Sequence, residues 1–269
     1  MVETNDKVFA GSIPEIYDRF LVPLIFEPNA LDLAGRVAAL APGDVLETAA
    51  GTGVLMRALA ARLPPATRMV VTDLNQPMLD QAARKAPARA VEWKQADALA
   101  LPFGDRSFDV VACQFGAMFF PDRVKGYGEA HRVLRPGGRF LFNVWDRIEN
   151  NEFAAVVTDA LAEVFPEDPP RFLARTPHGH YDVGRIRREL AAAGFVDVAV
   201  EAVDARSKAL SAGDVAIAFC QGTPLRNEIE ARDAARLEEA TSRSADAVAR
   251  RFGTGAVDGR IRAIVVSAS

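Results

Sequence analysis

The sequence predicts an α/β fold, a doubly wound and mostly parallel sheet of seven strands, with helical insertions after the fifth strand and between the last two. Three observations predict it. Short apolar runs alternate with helical patterns between residues 44 and 146, and strands joined by helices wind a parallel sheet through right-handed crossovers. The run Val110-Val111-Ala112 is apolar on successive residues, as a strand covered by helices on both faces requires. The stretch Asp44-Val45-Leu46-Glu47-Thr48-Ala49-Ala50-Gly51-Thr52-Gly53 ends a strand on a carboxylate and turns through small residues into a helix.

Taken in order, residues 1–13 read as weakly ordered. Ser12 and Pro14 suit the first turn of a short helix, Glu15 to Leu21, which Pro23 ends or kinks. A second helix is expected from Asn29 to Leu40, with Leu31, Leu33, Ala34, Val37 and Leu40 on one side. Strands over 45–47, 68–72, 90–94, 107–114 and 139–145 then alternate with helices over 54–63, 76–85 and 122–134. After Asp146 the pattern loosens into a helix, Glu152 to Phe165, and a proline-rich loop. A helix from Asp182 to Ala193 ends at Gly194, and a strand from Phe195 to Val203 follows. Helices from Ser211 to Cys220 and Glu228 to Arg251, the latter solvated, precede a last strand, Arg260 to Ser267. Residues 1–43 are expected to form a helical cover and 44–146 the ligand-binding core. Residues 147–269 continue the same domain, with caps at about 150–181 and 211–252.

The chain has 269 residues, 49% of them hydrophobic and 25% charged, which is ordinary for a globular protein. A net charge of −4 argues against a nucleic-acid partner, because phosphate neutralisation needs a clustered basic face. The two cysteines, Cys113 and Cys220, form no CxxC pair, and Met1 to Gly11 has no apolar signal core. A reducing compartment, the cytoplasm, is the expectation. No membrane span is expected, because no run of about 18 apolar residues occurs.

Ligands of an open α/β sheet bind outside the carboxyl ends of its strands. Those ends carry Glu47, then Asp73, then Asp97 in the following loop, then Gln114-Phe115, then Asn143, Trp145 and Asp146. Asp73 lies about 20 residues past the glycine turn, where a carboxylate meets ribose hydroxyls; as a helix N-cap it would also be well suited. A glycine turn with such a carboxylate fits two cofactor classes. The dinucleotide fingerprint needs G-x-G-x-x-G, and the third glycine is absent here. A carboxylate at Glu47 would also repel a pyrophosphate, whereas it suits a ligand bearing an amine or a sulfonium, such as S-adenosylmethionine.

Four ordered motifs then point to one family: Glu47 to Gly53; Val70-Val71-Thr72-Asp73 to Leu79; Asp97 to Asp109 with Leu101-Pro102-Phe103; and Val133-Leu134-Arg135-Pro136-Gly137-Gly138. Over residues 30–146 the chain resembles class I S-adenosylmethionine-dependent methyltransferases, with its best match in the small-molecule branch that includes the ubiquinone/menaquinone-biosynthesis enzymes. The resemblance implies that Glu47, Ala49, Gly51 and Gly53 line the methionine part of the cofactor. It implies Asp73 on the ribose, Leu74 and Met78 against adenine, Asp97 and Ala98 at the adenine amino group, and Gln114 and Phe115 near the methionine end. Ala49 stands where the family often has glycine, which is tolerated if its φ is negative.

The acceptor is read as a small, partly apolar molecule, methylated by in-line displacement in which positioning carries much of the rate. Phe119, Phe120 and Trp145 gather near the strand ends, and Tyr17 and Phe20 of the first helix are expected to fold over the site as a lid. His178 and His180 are the candidates for a general base, against a reading as surface loop histidines. No metal site is expected from them, since no third ligand is evident. His131 receives no role. A nicotinamide-dependent oxidoreductase and a non-catalytic nucleoside-binding module are the alternative functions. The chain is expected to be a monomer or a homodimer, with the dimer surface on 211–252.

Overall fold

The computed structural model describes residues 4–269. Its core is one seven-stranded sheet: β1 (Asp44–Glu47), β2 (Arg68–Asp73), β3 (Glu92–Gln95), β4 (Phe108–Gln114), β5 (Leu134–Trp145), β6 (Val198–Ala209) and β7 (Val257–Ala268). The spatial order is β3-β2-β1-β4-β5-β7-β6. The first five strands pair in parallel, and β7 runs antiparallel to both β5 and β6. The chain builds outward from β1 to β3, then returns to the other side of β1 to lay down β4. Strands β1 and β4 therefore flank the switch point, and the crevice opens at their carboxyl ends.

The helices are α1 (Ile13–Ile16), α2 (Glu27–Ala39), α3 (Val54–Ala60), α4 (Gln76–Ala83), α5 (Arg123–Val133), α6 (Glu152–Val164), α7 (Phe172–Arg175), α8 (Val183–Ala192), α9 (Ala212–Gln221), α10 (Leu225–Asp233) and α11 (Leu237–Phe252). They cover both faces of the sheet. One core layer gathers Leu33, Val37, Leu55, Leu59 and Val71, and the opposite layer Phe108, Tyr127, Phe140, Phe142 and Leu161. Helix α2 buries Leu33, Ala34 and Val37 but leaves Leu31 and Leu40 exposed, so its apolar stripe is narrower than the sequence pattern implied.

Pro23 does not end the N-terminal helix. Between α1 and α2 the chain winds as a π-helical stretch, Tyr17–Phe26, with Pro23 inside it, and the Glu27 N–H donates to the Val22 carbonyl. The wide i→i+5 turn carries the carbonyl four residues back away from the proline ring, which an α-turn would not. This stretch keeps Leu21, Val22, Leu24, Ile25 and Phe26 buried. The expectation of weak order over residues 1–13 falls partly on residues 1–3, outside the described residues. Beyond them, Thr4–Lys7 forms a 3-10 turn, and buried Asp6 meets Arg175 at 2.6 Å.

Two further boundaries differ. The stretch 228–251 is not one helix: Asp233 adopts extended backbone and its side chain caps the Ala235 N–H, so the chain breaks between α10 and α11. Nor is it wholly solvated, because α11 buries Ala240, Ser244 and Val248. Strand β6 runs six residues past Val203, because its charged residues face a partner: Asp204 lies opposite Arg262 and meets it at 2.8 Å. Helix α9 packs on the π-helical stretch, and α11 packs on α6 and α9. Among the described residues, no helix is long and apolar enough to cross a membrane.

Candidate active site

A cleft opens at the carboxyl ends of β1, β2 and β4, where an open α/β sheet binds its ligands. Glu47, Ala49, Gly51, Asp73, Leu74, Met78, Asp97, Ala98, Gln114 and Phe115 all line it. The Asp73 carboxylate organises the turn. One oxygen accepts from the Gly51 N–H at 2.8 Å and the other from the Asn75 N–H at 2.8 Å. Asn75, not Asp73, precedes α4 as its N-cap residue. Asp73 thus ties the end of β2 to the glycine turn and keeps oxygen lone pairs toward the cleft. Burial raises its pKa, and the backbone donors of Asn75 and Gly51 pull it back.

Glu47 is 2% exposed, and its Oε2 has no hydrogen-bond partner among the described residues. Burial pushes its pKa well above the usual carboxylate range; the Asp73 charge adds to this, and Arg57 opposes it. The Gln114 amide donates to the Phe26 carbonyl at 3.0 Å, while its Oε1 is likewise without a partner. Two orphaned acceptors on one cleft wall call for a donor that the described residues do not supply, since an unmet buried acceptor costs about 1–3 kcal/mol. At the other end Asp97 is exposed, with one oxygen on the Leu99 N–H at 2.9 Å.

Four expected site residues stand differently. Gly53 does not line the cleft; it caps α3 at φ 78°, where a methyl group would meet the Ala82 Cβ at 3.0 Å. Its need for glycine is one of backbone and packing. Phe20 lies outside the cleft too, under the Arg19 guanidinium, in a surface groove with Leu24 and Leu210. The π-helical turn rotates it away from Tyr17. His180 points to the far side, where its Nε2 lies 3.0 Å from the Tyr127 hydroxyl and 3.6 Å from Glu189. Neither histidine is a surface residue: His178 is 5% and His180 1% exposed. Gly179 makes this divergence possible, because any side chain there would overlap the Arg175 carbonyl oxygen.

Ala49 has φ 52°, not the negative value that alanine tolerates. A left-handed alanine costs about 1–2 kcal/mol, and glycine restores about 0.4–1 kcal/mol of unfolded-state entropy. Ala49→Gly is therefore expected to stabilise the protein by about 0.5–1 kcal/mol, read as a higher urea midpoint with an unchanged slope.

Beside the cleft lies a second, smaller cavity, lined by Leu21, Ile25, Met118, Trp145, Phe172, His178 and Phe219 among others. Phe9, Tyr17, Phe26, Phe115 and Phe119 line both spaces. Phe115 and Trp145 stack at 3.8 Å and 9°, and Tyr17 stacks on Phe26 at 5.1 Å. The N-terminal cover, the segment after β5 and helix α9 all converge here. Phe26, Phe172 and Phe219 escaped the sequence reading because no local pattern separates a chamber-lining phenylalanine from a core one. The Tyr17 hydroxyl would lie 3.8 Å from a methyl group on Gly51, so the first helix does cover the turn. Its neighbour Asp18 holds Lys85 at 2.6 Å and Gln81 at 3.1 Å, fastening that helix to α4 and the segment after it.

A family model described as a methyltransferase domain matches residues 45–138. The ubiquinone/menaquinone biosynthesis C-methyltransferase UbiE of Ectopseudomonas mendocina is 31% identical over 71% of this chain and 75% of its own length. The chain belongs to the S-adenosylmethionine-dependent methyltransferase family. The demethylmenaquinone methyltransferase of Thermus thermophilus is 45% identical, over 45% of this chain. The chain spans about half the length of that relative, 54%. Phosphoethanolamine N-methyltransferase 2 of Haemonchus contortus, solved with S-adenosylhomocysteine, shares the fold at a TM-score of 0.58 and 18% identity, over 99% of this chain and 58% of that one. The Bacillus subtilis YcgJ protein does so at 0.55 and 20%, over 90% and 97%. Membership of the methyltransferase family removes the nicotinamide alternative and brings S-adenosylmethionine as cofactor. The residues present fit it: the orphaned Glu47 carboxylate matches an ammonium, and the Asp73 oxygens match ribose hydroxyls.

Proposed function

We propose that this chain methylates a ring carbon of a reduced, quinone-type aromatic molecule. The observation that carries the reading is the aromatic chamber sharing walls with the cofactor cleft. Stacked rings at Phe115 and Trp145, with Phe26 and Phe172 nearby, suit a flat apolar ring better than a charged or a flexible acceptor. The names of the Ectopseudomonas and Thermus relatives support the same substrate class.

Glu47 would hold the cofactor's ammonium, Asp73 its ribose hydroxyls, and Leu74, Met78, Asp97 and Ala98 its adenine. When bound, the cofactor supplies an electrophilic methyl on a sulfonium. The chain's own work is then to dry and to align. Tyr17 and Phe26 form a roof over the junction of the two spaces, and Phe115 turns there at φ 51°. Helix α9 and the loop through Pro177 and His178 close the acceptor side. Fixing the ring in that dry space replaces a bimolecular encounter by an oriented one.

The test is transfer of label from methyl-labelled S-adenosylmethionine to naphthohydroquinone kept reduced with dithionite. The reading expects labelled methylnaphthoquinone after reoxidation. Absence of label in the ring, from protein that binds S-adenosylhomocysteine, would exclude this substrate class.

A further inference from the structure

The chamber wall is almost wholly apolar, and three of its side chains carry a hydroxyl or an imidazole. Thr223 is committed: its hydroxyl donates to the Phe219 carbonyl at 2.8 Å and accepts from the Leu225 N–H at 3.2 Å. The Tyr17 hydroxyl stays protonated, because burial and the nearby Asp73 and Asp18 charges raise its pKa. His178 is different. Its Nδ1 lies 2.8 Å from the Asp146 carbonyl oxygen. A carbonyl oxygen only accepts, so Nδ1 carries the hydrogen, and in the neutral ring Nε2 carries the lone pair. That Nε2 has no hydrogen-bond partner among the described residues.

The ring is also firmly held. Asp146 directly follows β5, so its carbonyl is fixed by the sheet, and the His178 N–H donates to the Leu173 carbonyl at 3.0 Å. The imidazole lies 6.1 Å from the Trp145 ring. Burial lowers its pKa to about 4, against the opposing effects of the Asp146 carbonyl and the Asp146 and Glu149 charges. Such a ring is neutral and able to accept a hydrogen bond at physiological pH.

We infer that His178 Nε2 is the proton acceptor for a hydroxyl group on the aromatic acceptor, and so the residue that selects hydroxylated rings for this chamber. This rests on the function proposed above. The acceptor hydroxyl donates to Nε2, which places the ring against Phe115 and Trp145. As the ring carbon beside the C–OH forms its bond to the methyl, the S–CH3 bond breaks and its electron pair stays on sulfur. The ring thereby becomes cationic and its O–H strongly acidic, so even a weakly basic imidazole takes the proton. The O–H electron pair becomes the C=O of a dienone. The hydrogen on the methylated carbon then leaves to water as a proton, the C=O electrons return to oxygen, and the imidazolium gives its proton back to that oxygen. The net change is one ring hydrogen replaced by methyl and one proton released.

Two readouts test this. The first is binding of naphthohydroquinone and of its dimethyl ether, followed by quenching of tryptophan fluorescence. The wild-type protein is expected to bind the hydroquinone about fivefold to tenfold more tightly, the size of one net hydrogen bond. In His178→Asn, whose amide retains a donor for the Asp146 carbonyl, the two ligands are expected to bind alike. The second is kcat with naphthohydroquinone, expected to fall by about a hundredfold or more in His178→Asn, with S-adenosylhomocysteine affinity unchanged as proof of folding. Equal binding of the ether and the hydroquinone by the wild-type protein would overturn the inference. So would a His178→Asn kcat within a few-fold of wild type. A hydroxyl preference that depends on His178, in protein that transfers no label, would instead sustain the inference and overturn the proposed function.

Discussion

Glu47→Gln is expected to raise the melting temperature of the ligand-free protein and to weaken S-adenosylmethionine by about tenfold to a hundredfold. Both effects come from one oxygen. The Glu47 carboxylate is 2% exposed with Oε2 unpartnered, and burial, aided by Asp73, makes its charged form unfavourable in the folded state. Its folded pKa stands above the unfolded value near 4.5. The unfolded chain therefore loses this proton first, and stability declines as pH rises from about 4.5 through the folded value. The glutamine variant escapes that decline, so its advantage is absent below pH 4.5 and grows across the window. An advantage of about 1 kcal/mol corresponds to roughly 2–4 °C in a domain of this size. Affinity moves the other way, because a charge-assisted hydrogen bond contributes about 1.5–3 kcal/mol and a neutral amide less. Calorimetric scans at several pH values, paired with cofactor titrations, check both halves.

Gly116→Ala is expected to cost about 1–3 kcal/mol of stability and to weaken the cofactor at the same time. Gly116 follows Phe115 at the end of β4, with no room for a side chain. A methyl there would overlap the Ala49 Cβ and stand 2.8 Å from the Cys113 Sγ. Neither neighbour is a flexible chain end: Ala49 is part of the glycine turn, and Cys113 is buried in β4. The turn must move, and with it the Gly51 N–H that meets Asp73. Chemical denaturation and S-adenosylhomocysteine titration on the same variant check this. Loss of stability with full affinity would show that the strand, and not the turn, absorbs the methyl.

The sheet was legible because parallel strands buried on both faces write themselves as short apolar runs, and the cofactor cleft because its groups stand at strand ends close in sequence. Ten of the eleven residues expected there meet in one space, from Glu47 to Phe115. What escaped depends on contacts distant in sequence. Gly116 shows no motif, since its constraint comes from Ala49 on another strand end. Phe26 was hidden because proline normally closes a helix, and only the π-helical winding carries the chain past Pro23. His178 and His180 looked equivalent, two residues apart in one loop. The tight turn at Gly179 sends one to the chamber and the other to Tyr127.

On the proposed function, the turn from Glu47 to Gly53, with Asp73 beneath it, would hold the amino-acid end and ribose of S-adenosylmethionine. Titration calorimetry of the wild-type protein with S-adenosylhomocysteine and with NAD tests it most directly. The structure predicts one-to-one binding of S-adenosylhomocysteine, lost by about 1–3 kcal/mol in Asp73→Ala, and no binding of NAD. Binding of NAD without S-adenosylhomocysteine, or an Asp73→Ala variant with full affinity, would contradict it.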